Sequence, residues 1–305
     1  MCTRHLPFLF LCIAENISMI DLSPLFYLAS FFPLEGMELR FMQQALVALT
    51  FLAPMTAALG VQVIQYRMAF FSDAVGHSAF AGVALGLLFG VHPHVSMPIF
   101  GLTVGLLIMF MQRFSALPSD TVIGVVFSAV VAGGLAVVSR EHTIARDVQQ
   151  FLYGDILTIA DKDIQFLLIL FLAFLLFEIF AFNRLLYASA SQTIARAHRI
   201  HAAICEYLFA GLLALVVMFS VWGVGVLLVT AMLIVPGACA RNLAHTAGGM
   251  FWWAIAIGLI SAMSGLALSV QPWMRTATGA TIILSACACF LLSLAVVALR
   301  NMRQN

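Results

Sequence analysis

The 305-residue chain is 63% hydrophobic and only 9% charged, with a formal net charge of +1 and a mean hydropathy of +1.08. Such a composition excludes a soluble domain and predicts an all-α polytopic membrane protein, and the near-neutral charge gives no basic surface for nucleic acid. The single lysine, Lys162, is followed by Asp163, so the chain has no Gly-Lys-Ser/Thr loop with which to bind ATP phosphates itself.

Residues 1–36 form an N-terminal extension. Its apolar stretch at 6–13 is followed by Glu15, Asp21, Pro24 and Pro33. It reads as a signal-like segment, as a poor extra span, or, the preferred reading, as sequence upstream of a true start at Met37. Residues 37–305 then make one transmembrane domain. Spans are expected at 41–63 (with Pro54 tolerated inside), 72–90, 96–112 and 121–139, with a turn at His92-Pro93-His94. A polar loop carrying Arg140, Glu141, His142, Arg146 and Asp147 leads into a short helix over 148–159, and the next span covers 164–183. A basic loop at 184–201 holds Arg184, Arg196, His198, Arg199 and His201. The apolar run at 204–235 is too long for one crossing of about 20 residues. Trp222-Gly223-Val224-Gly225 breaks it into one span and a short or re-entrant helix that stops at Pro236. A polar turn at 236–245 and spans at 250–269 and 278–299 finish the chain, giving about eight transmembrane helices plus short re-entrant or coupling helices. With the 184–201 loop in the cytoplasm, eight basic residues fall inside against five outside, Arg4 left aside. Arg67, Arg113 and Arg241 are then cytoplasmic, and His92 and His94 face outward.

The chemistry concentrates in the second span. Asp73 and His77 lie four residues apart, on one face of a helix. A carboxylate at the centre of a spanning helix costs about 2.5 kcal/mol or more, so the pair is expected to face a protein interior or an aqueous path. Asp73 can also be read as a helix cap, because Asp before an apolar run suits that position. Gly82, Gly86 and Gly90 follow at four-residue spacing, a stripe that lets another helix approach. Elsewhere, Glu178 sits inside a span without a local basic partner and is expected to hydrogen-bond a neighbouring helix. Cys2, Cys12, Cys205, Cys239, Cys287 and Cys289 form no CxxC pair and read as buried small hydrophobes.

Four stretches resemble the permeases of bacterial zinc/manganese/iron ABC importers, in that family's order and spacing, from about residue 38 to the end. They are Arg67-Met68-Ala69-Phe70-Phe71-Ser72-Asp73-Ala74-Val75-Gly76-His77, Asp120-Thr121-Val122-Ile123-Gly124, Phe151-Leu152-Tyr153-Gly154-Asp155-Ile156-Leu157, and the run from Val224 through Pro236-Gly237-Ala238-Cys239-Ala240-Arg241. The chain departs from the family at Arg196-Ala197-His198-Arg199, where a glycine is usual, and at Thr276-Ala277-Thr278-Gly279, where a proline is common. The resemblance implies a multi-pass bacterial inner-membrane permease that works as a homodimer. It would sit on a separate cytosolic ATPase and receive metal from an extracytoplasmic binding protein. It implies no permanently bound cofactor, and a transported Zn²⁺, Mn²⁺ or Fe²⁺, with zinc favoured. Asp73 and His77 match the metal path, and carboxylate with neutral imidazole suits such ions. A transient site should be incomplete, since a closed four-ligand site would retain zinc. Pro236, Gly237, Ala240 and Arg241 match the segment that couples to the ATPase, although Arg241 also reads as an ordinary positive-inside anchor. His92 and His94 could meet over an entrance, whereas His142, His198, His201 and His245 read as loop residues. Two other classes stay open. One is an ion-gradient-driven secondary transporter using Asp73 and Glu178; the other is a membrane metalloenzyme, which the lack of an HExxH motif disfavours.

Overall fold

A backbone surrounded by lipid has to satisfy its own hydrogen bonds, and among the described residues every regular element is helical. The computed structural model describes residues 22–32, 37–139, 156–190, 193, 201–271 and 276–304. In chain order the helices are α1 (Ser23–Ser30), α2 (Arg40–Gln65), α3 (Phe71–Leu88), α4 (Pro93–Phe114), α5 (Ser119–Val138), α6 (Asp161–Ala190), α7 (Ala202–Val224), α8 (Val226–Leu243), α9 (Ala247–Ser269) and α10 (Thr278–Gln304). A single 3-10 turn, Ile156–Thr158, precedes α6. Of the short helix expected over 148–159, residues 156–159 are described and only 156–158 of them are helical; residues 148–155 lie outside the described residues.

Among the described residues nine helices, α2 to α10, are long and apolar enough to cross a membrane. The addition to the expected eight is α8. The break falls where expected, at Gly225, whose φ of +86° ends α7 and starts α8 with one residue between them. Pro236 does not stop the second helix, and this corrects the expected turn at 236–245: α8 continues through a buried Pro236 to Leu243. Proline forfeits one backbone bond and crowds the preceding turn, but membrane bundles absorb that loss where a neighbouring helix packs closely. Here α2 does so. A side chain at Gly60 would collide with the Leu233 carbonyl, and one at Gly237 would meet Ile64 and the backbone of Gly60.

Polar contacts at the helix ends set the direction of each crossing. Arg40 and Gln44, at the start of α2, both bond Asp161 at the start of α6, at 2.7 and 2.8 Å. At the other end Tyr66 Oη donates to the Leu185 carbonyl at 3.1 Å. Thus α2 and α6 run parallel. Likewise Asn242 Nδ2 donates to Ser293 Oγ at 3.0 Å and Arg300 reaches the Leu243 carbonyl, which makes α8 parallel to α10. By contrast α4 is antiparallel to α7: His94 meets Trp222, Gly101 faces Met218 and Gly105 faces Ala214. With the arginine bias, α2, α4, α6, α8 and α10 run inward and α3, α5, α7 and α9 outward. The axis of the bundle is α2, where 78% of the most apolar stretch is buried, against 17% for α10 at the margin.

Part of the N-terminal extension packs on this bundle. Leu22 and Ala29 are buried, and the Arg40 guanidinium lies 5.3 Å from the centre of the Phe26 ring. Met37 is also buried, and its carbonyl accepts from Gln43 Nε2 at 2.9 Å. The Arg40–Asp161 pair is solvent-facing (68% and 42% of the side chains exposed), and such pairs contribute about 1 kcal/mol or less. Arg40→Ala is therefore expected to lower thermal stability by at most a few degrees in detergent melts, with Gln44 still holding Asp161. Of the cysteines, Cys239 is buried, Cys205 and Cys289 are half-buried, and Cys287 is exposed, so the expected burial fails for Cys287. Cys2 and Cys12 lie outside the described residues.

Candidate functional site

The corner between α2 and α3 positions the polar pair. Arg67 takes a left-handed conformation, φ 55°, and Met68 N–H bonds the Val63 carbonyl at 3.0 Å, which reverses the chain in five residues. Met68 and Phe71 are buried and anchor the turn. Phe70 is the N-cap of α3, no side chain caps this end, and Asp73 is the third residue of the helix. The capping role read for Asp73 is therefore not the one its carboxylate plays.

Instead Asp73 and His77 engage each other. His77 Nδ1 lies 3.0 Å from the Asp73 backbone carbonyl and 3.4 Å from Asp73 Oδ1. Since a carbonyl only accepts, Nδ1 carries the proton in this bond, which leaves the Nε2 lone pair free for an ion. The side chains are 39% and 31% exposed, so the pair is open on one side. The edge of Phe127 on α5 meets the His77 ring at 5.5 Å between centroids. On the neighbouring face of α3, Gly76 sits against Val217, Val226 and Thr230, bringing α7 and α8 in beside the pair. Gly82 and Gly86 let α4 in close, at Met97, Phe100 and Ser96. Gly90 departs from the expected stripe: its φ of +67° and the open space around it make it a turn residue. Among the described residues, no three His, Cys, Asp or Glu side chains converge. Asp73 and His77 are thus two adjacent side chains, a carboxylate and an imidazole, with no third such group beside them among the described residues.

The other predicted residues lie apart from this pair. Pro236, Gly237 and Ala240 are buried in α8, while Arg241 is exposed in its last turn. His245 is exposed just beyond, and Thr246 caps α9 by accepting from Gly249 N–H at 3.1 Å. His92 is the N-cap of α4 and His94 lies in its first turn, so the helix starts inside the expected turn. Their rings stack at 5.2 Å, and His94 leans on Trp222 at 3.5 Å. They do come together, at the opposite end of α3 from the pair: the rise from His77 to Leu88 is about 16 Å. His201 precedes α7 as its N-cap, while His142 and His198 lie outside the described residues. Glu178 bonds a neighbouring helix as expected. Gln62 Nε2 on α2 donates to both of its carboxylate oxygens, at 2.6 and 2.8 Å. The sequence reading missed Gln62, although an amide inside an apolar span is a signal that it needs a partner.

Nine helices among the described residues long and apolar enough to cross a membrane, with a polar pair on an inner one and an exposed basic helix end, fit a multi-pass membrane permease. The chain belongs to the ABC 3 transport family, whose profile matches residues 38–297. It is 30% identical over 243 residues to the high-affinity zinc uptake system membrane protein ZnuB of Haemophilus influenzae, covering 80% of this chain and 92% of that protein. It is 29% identical over 256 residues to the manganese import system permease protein ScaB of Streptococcus parasanguinis, covering 84% and 90%. Among solved structures, PsaBC from Streptococcus pneumoniae in complex with Fab superimposes with a TM-score of 0.72 at 29% identity, covering 84% of this chain and 91% of that one.

Proposed function

We propose that this chain is the transmembrane permease subunit of an ATP-binding-cassette importer that carries a divalent transition metal into the cytoplasm. The observation that carries this reading is the Asp73–His77 pair, in mutual contact on a helix of a bundle whose relatives are zinc and manganese uptake permeases. A carboxylate and one free imidazole nitrogen suit Zn²⁺ and Mn²⁺ alike, and two donors hold an ion loosely enough to release it. By the arginine bias the pair lies within two turns of the cytoplasmic start of α3, and the stacked His92 and His94 guard the outer end as an entrance. A second copy of this chain would supply the facing half of the path, and an extracytoplasmic binding protein would deliver the ion.

Energy would come from a separate ATPase docked on the cytoplasmic face. The helical course of α8 narrows the expected coupling segment. Gly237 and Ala240 pack against α2, Pro236 is buried, and Arg241 is the exposed member that can touch a partner. The purified chain alone is expected to show no ATP turnover, and metal uptake in cells should vanish when the partner ATPase is deleted. ATP hydrolysis by the isolated subunit, measured as phosphate release, would overturn this reading.

A further inference from the structure

A carboxyl group inside a membrane bundle is expensive, and Glu178 has no ion-pair partner among the described residues. It is 6% exposed, and its hydrogen-bond partner Gln62 is 1% exposed. The pair is not even fully satisfied: Gln62 Oε1 is buried without a partner. Two apolar side chains would fill this space at lower cost. What they would lack is direction. One amide nitrogen held by two carboxylate oxygens fixes both the rotation and the axial register of α2 against α6, whereas apolar packing tolerates slippage.

The location gives that register a purpose. Gln62 is one turn before Tyr66, which ties the same end of α2 to α6 again through Leu185 and stacks on Phe209 of α7 at 5.7 Å. Immediately beyond lies the left-handed Arg67, then α3 with Asp73 in its first turn. At the same level α8 bears on α2 at Gly60 and Ile64, one turn before the exposed Arg241. One short section of α2 is thus held by α6, pressed by α8, and continuous with the helix that carries the polar pair.

We propose that Glu178 is a positioning residue for metal passage: paired with Gln62, it holds the α2–α3 corner so that movement of α8 reaches Asp73 and His77 in a fixed geometry. This rests on the reading of Asp73 and His77 as the metal path. It makes Glu178 part of the coupling between ATP turnover and transport, without contact to the ion.

The test uses the importer reconstituted in liposomes with its ATPase and binding protein, measuring radioactive manganese or zinc imported per ATP hydrolysed. Glu178→Gln keeps the shape and one hydrogen bond of the pair and is expected within about twofold of wild type. The double variant Gln62→Leu with Glu178→Leu removes the buried polar burden, so it should insert and hydrolyse ATP. Its metal-per-ATP ratio should fall about tenfold, the upper part of the range for residues that couple sites without touching ligand. A wild-type ratio in the double variant overturns the inference, because the pair would then serve only to satisfy itself. A Glu178→Gln ratio as low as the double variant's also overturns it, because charge and not geometry would be at work. If the double variant fails to reach the membrane, the Glu178→Gln ratio decides alone, a loss of tenfold or more counting against the inference. Asp73→Asn is run alongside: normal transport there overturns the metal-path reading itself. Loss of transport in Asp73→Asn with a normal ratio in the double variant overturns only the role of Glu178.

Discussion

Asp73→Asn is expected to abolish metal uptake at normal membrane levels, with a loss on the order of 100-fold or more. Changing a partner one shell removed from a metal typically costs 10–100-fold, and losing a ligand should cost at least that. The folding cost works the other way. No side-chain cap bond exists at the start of α3, so the substitution removes a favourable charge in the first turn, worth about 0.3–1 kcal/mol, and weakens the 3.4 Å contact of Oδ1 with His77, which an Asn oxygen can still make. Chemistry and stability are therefore separable at this position. His77→Ala should give the same phenotype by deleting the imidazole, whereas Asp73→Ala adds nothing further if the carboxylate is the ligand. Uptake of radioactive zinc or manganese at near wild-type rate in Asp73→Asn would sink the assignment.

The second large effect is structural. Gly60→Ala should collapse the packing of α2 on α8, because the new Cβ would fall on the Leu233 backbone carbonyl and not on a side-chain tip that could turn away. The two helices must then part along a seam that includes Gly237 and Pro236. We expect about 3 kcal/mol or more of destabilisation and a sharp loss of folded protein in detergent-solubilised membranes. Gly124→Ala is the control. It has nothing within 4 Å of the added methyl, and trading helical Gly for Ala there should stabilise by up to about 1 kcal/mol. Equal melting temperatures for the two variants would refute the close approach of α2 and α8.

The sequence made much of this legible, for specific reasons. Long apolar runs bounded by arginines marked the crossings, and the threading they imposed already needed Val226 onward to pass from outside to inside. What hid the ninth helix was Pro236, followed by Arg241 and Asn242, a pattern that in water would end a helix. The proximity of Gly60, on a helix some 170 residues earlier in the chain, keeps that segment helical, and no local pattern reports a partner so distant. The polar pair was visible because four-residue spacing translates directly into one helix face. Whether Asp73 capped its helix was not, since that depends on the conformation of Phe70 and Arg67. The same limit explains Gln62 and Glu178. Glu178 looked isolated in its own span and Gln62 was passed over, and only the parallel course of α2 and α6 brings them within 2.6 Å.

The single residue between α7 and α8 has a mechanical consequence. Gly225 is the whole of that connection, so it contains no slack. Any tilt of α8 relative to α7 must pivot there. From that hinge to Leu243 the helix is a stiff arm of about 27 Å, at roughly 1.5 Å per residue. A swing of only about 10° would carry Arg241, about 24 Å from the hinge, through about 4 Å. The outer mouth at Trp222 would scarcely stir. A push from below would thus be spent along the arm's length, beside Gly60, while the hinge itself stays shut.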